Sequence, residues 1–231
     1  IDSKRDVEYS FQTQQPIEIY FNGELKSACF VNNAKRKSKK IWSVQSEDYI
    51  GFMDSIPYYG GMYFDENADT IIEDIFSVAK IPYELSDEFV GVKVSGYIPY
   101  TTCREALMQV SFAIGAVVDT AGLDLVKICS LKKEISQKIP KTRVMVGQTI
   151  GEKNVVTAVE VVSHSYKEID EEYTAYNSAE IGFGENIFVS FSEPLHGLSI
   201  LNGEILSSGV NYAIINAHQG CVLTGRKYQH T

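Results

Sequence analysis

Apolar and polar residues alternate along the first third of the chain in the pattern of β-strands. Two runs rich in β-branched and aromatic residues, within residues 16–31, flank Asn22 and Gly23. This dipeptide readily takes the positive φ values of a two-residue hairpin turn. After the polar stretch 32–40, a rough period of two returns at residues 41–46. The pattern predicts a hairpin and a third strand that is entered through a solvated loop.

A helical period replaces this alternation in the middle of the chain. Within residues 67–82 the apolar positions recur at spacings of four, three and four, at Ala68, Ile72, Ile75 and Ala79. The stripe predicts an amphipathic helix. Asn67 is expected to cap its N-terminus, and Pro82 prevents the helix from continuing.

A second helix begins at a triplet that resembles a reactive site, Cys103, Arg104 and Glu105. Thr102 and Glu105 have the spacing of a capping box, in which each residue hydrogen-bonds the backbone of the other. The apolar stripe that follows consists of Cys103, Leu107, Val110 and Ile114. We therefore interpret the triplet as a helix start and Cys103 as a small buried hydrophobe. Gly115 is expected to end this helix, before two short strands within residues 116–129.

The last part of the chain returns to short apolar runs between turn residues. Predicted strands lie at 142–148, 154–166, 172–178, 185–191, 203–207, 209–216 and 220–226. A hairpin turn is expected at Asn202 and Gly203, and a solvent-exposed bend that joins two strands at residues 167–172. Strands without intervening helices favour an antiparallel sandwich or barrel.

These patterns predict an α+β fold that is mainly antiparallel β. Barrel- or sandwich-like β domains surround a small α/β domain, which carries the two amphipathic helices. The predicted boundaries are residues 1–53 for the β part of a first barrel domain, residues 54–131 for the small α/β domain, and residues 132–231 for an all-β domain.

Composition and charge restrict the classes of partner. The chain has 231 residues, 44% of them hydrophobic, and a net charge of −9. An acidic protein lacks the basic surface that holds nucleic-acid phosphates, so we expect no nucleic-acid partner. No run approaches the roughly 20 apolar residues of a membrane-spanning helix. The four cysteines lack any C-x-x-C pair, which indicates free thiols in a reducing compartment.

Motifs for catalysis are missing from the sequence. The four histidines, His164, His196, His218 and His230, have no helical metal-ligand spacing to one another or to a cysteine. The stretch from Asp65 resembles a calcium loop, yet Thr70 and Phe76 stand where such a loop needs glycine and glutamate. We predict no enzymatic activity, no catalytic residue, no cofactor and no metal.

Two segments remain as candidates for contact with other molecules. Tyrosines beside glycines at residues 58–64 can pack under a loop, anchor a protein interface or stack on a ligand, and all three alternatives stay open. The basic run at 35–40 suits either an anionic surface or a solvated loop. The interface candidates are Tyr58, Tyr59, Tyr63, Lys35, Arg36 and Lys37.

One stretch of residues 95–120, SGYIPYTTCREALMQVSFAIGAVVDT, combines a glycine-aromatic-x-proline turn, a helix and a following hairpin. Together with the strands and the helix before it, this stretch resembles the baseplate hub proteins of bacteriophage and prophage tails. That family is related to the hubs of contractile phages and to the spike hubs of type VI secretion systems. The resemblance covers residues 16–131 well and the remainder more loosely.

The resemblance implies a structural protein of the virion tail or baseplate, assembled in the bacterial cytoplasm. Such a subunit forms a ring, commonly a homotrimer, and joins the tail tube to the spike or tip, so its partners are itself and other tail or baseplate proteins. Because the chain starts at Ile1 without the beginning that the family leads one to expect, we expect a piece of a longer subunit with an incomplete first barrel. The alternative is a β-sandwich module that binds glycans or receptors through the aromatic cluster Tyr58–Phe64.

Overall fold

The fold was analysed in a computed structural model, which describes residues 10–39, 41–121, 124–131, 140, 158, 160 and 164–230. These residues form mainly antiparallel β structure with few helices, as the sequence pattern predicts. Within this part of the chain, no helix has the length and apolar character needed to cross a bilayer. The predicted strand 142–148 and most of the one at 154–166 lie outside the described residues.

The N-terminal unit is a three-stranded antiparallel sheet in the order β1 (Pro16–Phe21), β2 (Glu24–Arg36), β3 (Trp42–Glu47). Asn22 and Gly23 have φ values of +51° and +82°, which confirms the predicted hairpin turn. The polar loop is shorter than predicted. Lys35 and Arg36 still pair with Ser43 and Trp42 of β3, because the ladder hydrogen bonds extend past the last apolar residue of β2.

The central unit packs three helices with short strand pairs. The helices are α1 (Tyr49–Met53), α2 (Ala68–Ala79) and α3 (Cys103–Ile114). The strands are β4 (Pro57–Tyr58), β5 (Gly61–Asn67), β6 (Tyr83–Leu85), β7 (Lys93–Ile98), β8 (Thr101–Thr102), β9 (Val117–Asp119) and β10 (Val126–Cys129). β5 pairs with β7 and β4 with β8, while β10 lies between β6 and β9. Their shared core includes the fully buried Ile72, Ile75, Leu107 and Ile128.

Both predicted helices are present, with differences at their caps. In α3 the Thr102 hydroxyl accepts a hydrogen bond from the Glu105 backbone at 3.2 Å, but the Glu105 carboxylate accepts from the Thr101 hydroxyl instead of completing a capping box. Gly115 ends α3 in the left-handed conformation. In α2 the Asn67 side chain makes no capping bond. Cys103 is fully buried, which confirms the structural interpretation of the triplet.

The C-terminal unit is a four-stranded antiparallel sheet arranged around one long strand. Its strands are β11 (Tyr166–Asn177), β12 (Gly184–Ser190), β13 (Leu195–Ser208) and β14 (Tyr212–His230), with a one-turn helix α4 (Ser178–Ile181) after β11. β14 pairs with β13 along one edge, and with β12 and then β11 along the other. The strand pairings of the described residues leave this sheet open at its edges.

Two turn predictions in this unit are wrong. Asn202 and Gly203 lie inside β13: Leu201 pairs with Val222 and Gly203 with Ala217, so the extra residues bulge out of β14. Glycine is needed at position 203 for close approach, since a Cβ there would lie 2.6 Å from the Asn216 carbonyl.

Residues 167–172 are exposed, as predicted, except for the partly buried Ile169, but they do not join two strands. They belong to β11, where Glu168 pairs with Tyr228 and Glu172 with Arg226, so two residues form a bulge. The His196 Nε2 atom lies 3.2 Å from both the Ile169 and the Lys227 carbonyl oxygens. The His196 ring nitrogen therefore lies between the bulge of β11 and the backbone of β14.

Most buried hydrophobic residues of the described chain fall into two clusters, which follow the central and C-terminal units. The central cluster extends from Met53 to Ile128 and the other from Tyr176 to Leu223. Met53 is fully buried in the central cluster, so α1 packs with the central unit. Phe30 of β2 stacks on Phe52 of α1 with ring centroids 4.2 Å apart, and this contact anchors the N-terminal sheet.

Candidate functional site

The tyrosine-rich segments of the central unit meet the C-terminal sheet in one aromatic cluster. This junction cluster consists of Tyr59, Tyr100, Phe188 and Tyr212. The rings of Tyr59 and Tyr212 stack with centroids 4.3 Å and planes 24° apart. The Tyr100 and Phe188 centroids lie 5.8 Å and 6.0 Å from that of Tyr59. The ring of Tyr59 therefore packs against neighbouring rings, although 43% of the residue remains exposed.

A buried amide lies beside the junction cluster and connects the same two units. Asn211 is 1% exposed, and its Nδ2 atom donates to the backbone oxygens of Tyr59 at 2.8 Å and of Ile98 at 2.9 Å. Its Oδ1 atom accepts from the Tyr97 hydroxyl at 2.6 Å. Both amide protons are thus used, and the bonds cross between residues more than 110 positions apart in sequence.

Gly60 lets these backbones approach each other. Its φ is +68°, and a Cβ at this position would lie 2.1 Å from the Ile98 oxygen and 2.7 Å from Asn211 Nδ2. Any side chain would displace the Ile98 carbonyl and the amide that donates to it, so the turn after Tyr59 requires glycine for conformation and for space.

The Tyr97 hydroxyl takes part in the junction as a hydrogen-bond donor. Burial raises the pKa of Tyr97 above its usual value of 10.0, which keeps its hydroxyl protonated as the donor to Asn211.

No protein-family model matches the sequence, and a search of curated proteins finds no match. The function of this junction therefore has to be inferred from its geometry.

The other predicted tyrosines belong to the core rather than to a surface. Tyr58 is buried, and its hydroxyl donates to Asp74 Oδ2 at 2.8 Å. Because that proton is engaged, the Tyr63 hydroxyl donates to Tyr58 across 3.0 Å. Burial is the main cause that raises the pKa of Tyr58 and of Tyr63. For Tyr58 the packing alternative holds, and Tyr63 is half-buried against the same core.

The predicted basic candidates lie apart from the junction, at the β2–β3 turn. Lys35 and Lys37 are exposed, and the Arg36 guanidinium lies 5.9 Å from the Trp42 ring centroid. Arg36 also donates to the backbone oxygens of Ser38 and Lys39. Arg36 thus stabilises the turn, whereas an interface role for the two lysines stays a prediction.

Groups capable of covalent or metal chemistry are either buried or scattered. Burial raises the pKa of the Cys103 thiol to about 11, so it is protonated and inert at neutral pH. His164 and His230 stack with centroids 4.5 Å apart at the end of the sheet. Within the part of the chain that the structure describes, no three His, Cys, Asp or Glu side chains come together as metal ligands.

Sequence reasoning found Tyr59 as a candidate but missed its partners across the junction. Phe188 and Tyr212 occur in ordinary strand patterns, and Asn211 lies in the short connection between β13 and β14, where asparagine is common. No local signal distinguishes them, because their role depends on a contact with residues that are more than a hundred positions away.

Proposed function

We propose that this protein is a structural subunit of a bacteriophage or prophage tail, of the baseplate-hub type. It associates with copies of itself, as a homotrimer, and with other tail proteins to join the tail tube to the spike or tip. It is assembled in the bacterial cytoplasm and resides in the virion tail. The succession of β sheet, small α/β unit and second β sheet supports the proposal, since the family resemblance implies β domains around a small α/β domain.

The observation that carries the proposal is the junction between the two cores. A connecting subunit must hold the surfaces that it presents in a fixed relative orientation. The buried Asn211 bonds and the stacked ring of Tyr59 favour such a rigid body, because separating the units would break both amide bonds and expose the stacked rings to water. Large apolar side chains such as Phe21 and Phe112 stay exposed elsewhere, and exposed patches of this kind are typical of assembly surfaces.

The test of this function is the native mass of the full chain, measured by size exclusion with light scattering at several concentrations. We expect a closed trimer that survives dilution and persists at low and high salt. A strict monomer at every concentration would contradict the proposal, because a ring subunit must self-associate.

The glycan-binding alternative receives less support from the junction geometry. A sugar stacks on a free ring face, whereas the Tyr59 face is covered by Tyr212 at 4.3 Å and the buried Tyr58 offers no face to solvent. A titration with a panel of glycans, followed by the fluorescence of Trp42 and the tyrosines, separates the two functions. A saturable response from a monomeric protein would favour the binding module.

A further inference from the structure

The dipeptide Asn-Gly occurs twice in the chain, in almost the same local sequence. Residues 21–25 read FNGEL and residues 201–205 read LNGEI. Both asparagines also have the same left-handed backbone, with φ of +51° at Asn22 and +52° at Asn202. Because the neighbours in the chain are matched at the two sites, a large difference in their chemistry has to come from the tertiary surroundings.

An asparagine that precedes glycine can lose its side-chain amide without an enzyme. The backbone nitrogen of the glycine attacks Cγ of the asparagine and gives its proton to solvent, the Cγ–Nδ2 bond breaks, and ammonia leaves as a five-membered succinimide closes. Water then adds to one of the two ring carbonyls and opens the ring to aspartate or isoaspartate. Glycine favours the attack because it has no side chain beside its nitrogen. Ring closure requires the backbone to rotate out of a hydrogen-bonded turn.

The surroundings of Asn22 allow this rotation. The turn closes a two-stranded ribbon, in which residues 20–21 and 24–25 are the pairs that follow an irregularity in the ladder. In the described chain, β3 pairs with β2 further from the turn, at residues 30–36. A ribbon of two strands is marginally stable without a third strand or a packed face. The tip of the hairpin is therefore expected to open more often than the rest of the sheet.

The reacting groups at this turn are also accessible to water. Asn22 and Gly23 are both exposed. A Cβ placed on Gly23 would meet nothing within 4 Å, so the space beside its nitrogen is open. Solvent can thus remove the proton from the attacking nitrogen and later open the ring.

The surroundings of Asn202 oppose the same rotation. This residue lies within β13, which pairs with β14 immediately before and after it. Its Nδ2 atom, which would leave as ammonia, donates to the Gly220 carbonyl at 3.3 Å. Gly203 packs so closely that a Cβ there would lie 2.6 Å from the Asn216 carbonyl. Moving this backbone requires the longest strand pair of the C-terminal sheet to separate, which costs far more than fraying a hairpin tip.

We infer that Asn22 is a site of spontaneous deamidation in the folded protein, and that the sheet protects Asn202 from the same reaction. Water is the co-reactant and ammonia the product. Each conversion adds one negative charge to a chain whose net charge is −9. The charge appears beside the exposed rings of Tyr20 and Phe21, so the surface at the hairpin tip changes as the protein ages. This inference does not depend on the proposed function, because the reaction needs no partner.

The test follows both asparagines in one sample of the unmodified full chain. The protein is incubated at mildly alkaline pH, once folded and once in urea, then digested after glutamate at acidic pH and analysed by mass spectrometry. Digestion separates residues 19–24, which contain Asn22, from a peptide that ends at Glu204 and contains Asn202. We expect Asn22 to convert at least tenfold faster than Asn202 in the folded chain, and the two rates to agree within about threefold in urea.

Two matched substitutions assign the modification in the intact chain. Asn22→Gln disfavours ring closure because the longer side chain would have to form a six-membered ring, so ion exchange should no longer show the acidic form that accumulates in the unmodified chain. Asn202→Gln is the control and should leave that accumulation unchanged. An acidic form that persists in Asn22→Gln would place the modification at another residue.

The peptide measurement decides the inference even where a variant fails to fold, since it uses the unmodified chain. Equal rates for the two asparagines in the folded protein would overturn the inference, because the tertiary surroundings would then have no effect. An Asn22 that reacts in urea and stays intact in the folded chain would overturn it as well.

Discussion

Aromatic side chains are packed against one another in the junction cluster, whereas on the outer face of α3 they are exposed to solvent. At the junction, Tyr59 stacks on Tyr212 and the buried Asn211 uses both of its amide protons. On α3, Phe112 is exposed to solvent, and the buried Ser111 hydroxyl has no hydrogen-bond partner. The comparison teaches that aromatic residues in the two regions differ in packing, and that the polar side chains beside them differ in hydrogen bonding in the same sense. The junction is completed by contacts within the chain, whereas Phe112 on α3 has no such cover.

Gly60→Ala should produce the largest loss at the junction. The added Cβ meets the Ile98 oxygen at 2.1 Å in a backbone with φ of +68°, so we expect a loss of more than about 4 kcal/mol in the free energy of unfolding. Urea denaturation measures it. Gly91→Ala is the matched control, because its φ is +74° and its added Cβ meets nothing within 4 Å. It should cost only about 1 kcal/mol.

Asn211→Ala should lower the free energy of unfolding by about 3 kcal/mol. The substitution leaves two carbonyl oxygens and the Tyr97 hydroxyl without their partner in a buried position. Asn32→Ala, which removes one exposed contact to Glu47, should stay within about 0.5 kcal/mol in the same urea experiment. Equal effects of the two substitutions would show that the buried amide does not join the units.

Tyr59→Ala should cost about 2 kcal/mol, because it removes the central ring of the junction cluster. Tyr59→Phe keeps the ring and should remain within about 0.5 kcal/mol. Limited proteolysis gives a second measurement, since loss of the ring should loosen the contact between the Tyr59 turn and the strands β12 and β14. Unchanged stability and cleavage in the alanine variant would refute the role of the cluster.

Stability should fall above pH 10 through the buried tyrosines. Burial raises the pKa of Tyr58 above the usual 10.0, so above that pH the unfolded chain loses a proton that the folded chain retains. The stabilising contribution is complete below pH 10 and declines by about 1.4 kcal/mol per pH unit for one such group. Denaturation curves between pH 8 and 11 should show a shallower decline for Tyr58→Phe, and an identical slope would contradict this assignment.

Ser111→Ala should have the smallest effect, and in the opposite direction. Removing the unpartnered hydroxyl should raise the stability of the isolated chain by about 1 kcal/mol, as a thermal melt would measure. Ser77→Ala on the exposed face of α2 is the control, because it supplies the same gain in helix propensity, about 0.5 kcal/mol, without removing a buried polar atom. Equal gains in both variants would show that the unpaired Ser111 hydroxyl does not lower the stability of the fold.

Local signals in the sequence predicted the elements whose cause is local. The stripes of α2 and α3, the Asn22–Gly23 turn and the helix end at Gly115 all follow from side chains within a few residues of each other. The same reasoning failed at Asn202–Gly203, because the dipeptide that makes a hairpin turn also allows a close approach to Asn216 across a bulged ladder. The same dipeptide is therefore compatible with two different tertiary structures.

The candidate site was predicted only in part, for the same reason. The tyrosine-rich segment 58–64 was identified, but the sequence left packing, interface and ligand stacking open. Burial decides between them, and burial depends on which strand of the other unit arrives above each ring. Tyr58 meets Asp74 inside its own core, whereas its neighbour Tyr59 points across to Tyr212.

The sequence alone therefore determined the mainly antiparallel β class, the two amphipathic helices and the structural nature of Cys103, since these depend on periodicity and on neighbours in the chain. The tertiary structure decided which aromatic residues are satisfied and which remain free. Asn211 and Tyr59 are 152 positions apart, and no sequence period connects such residues. Their contact forms only when two separate cores fold and bring one backbone turn against another, where an unpaired buried carbonyl would be costly.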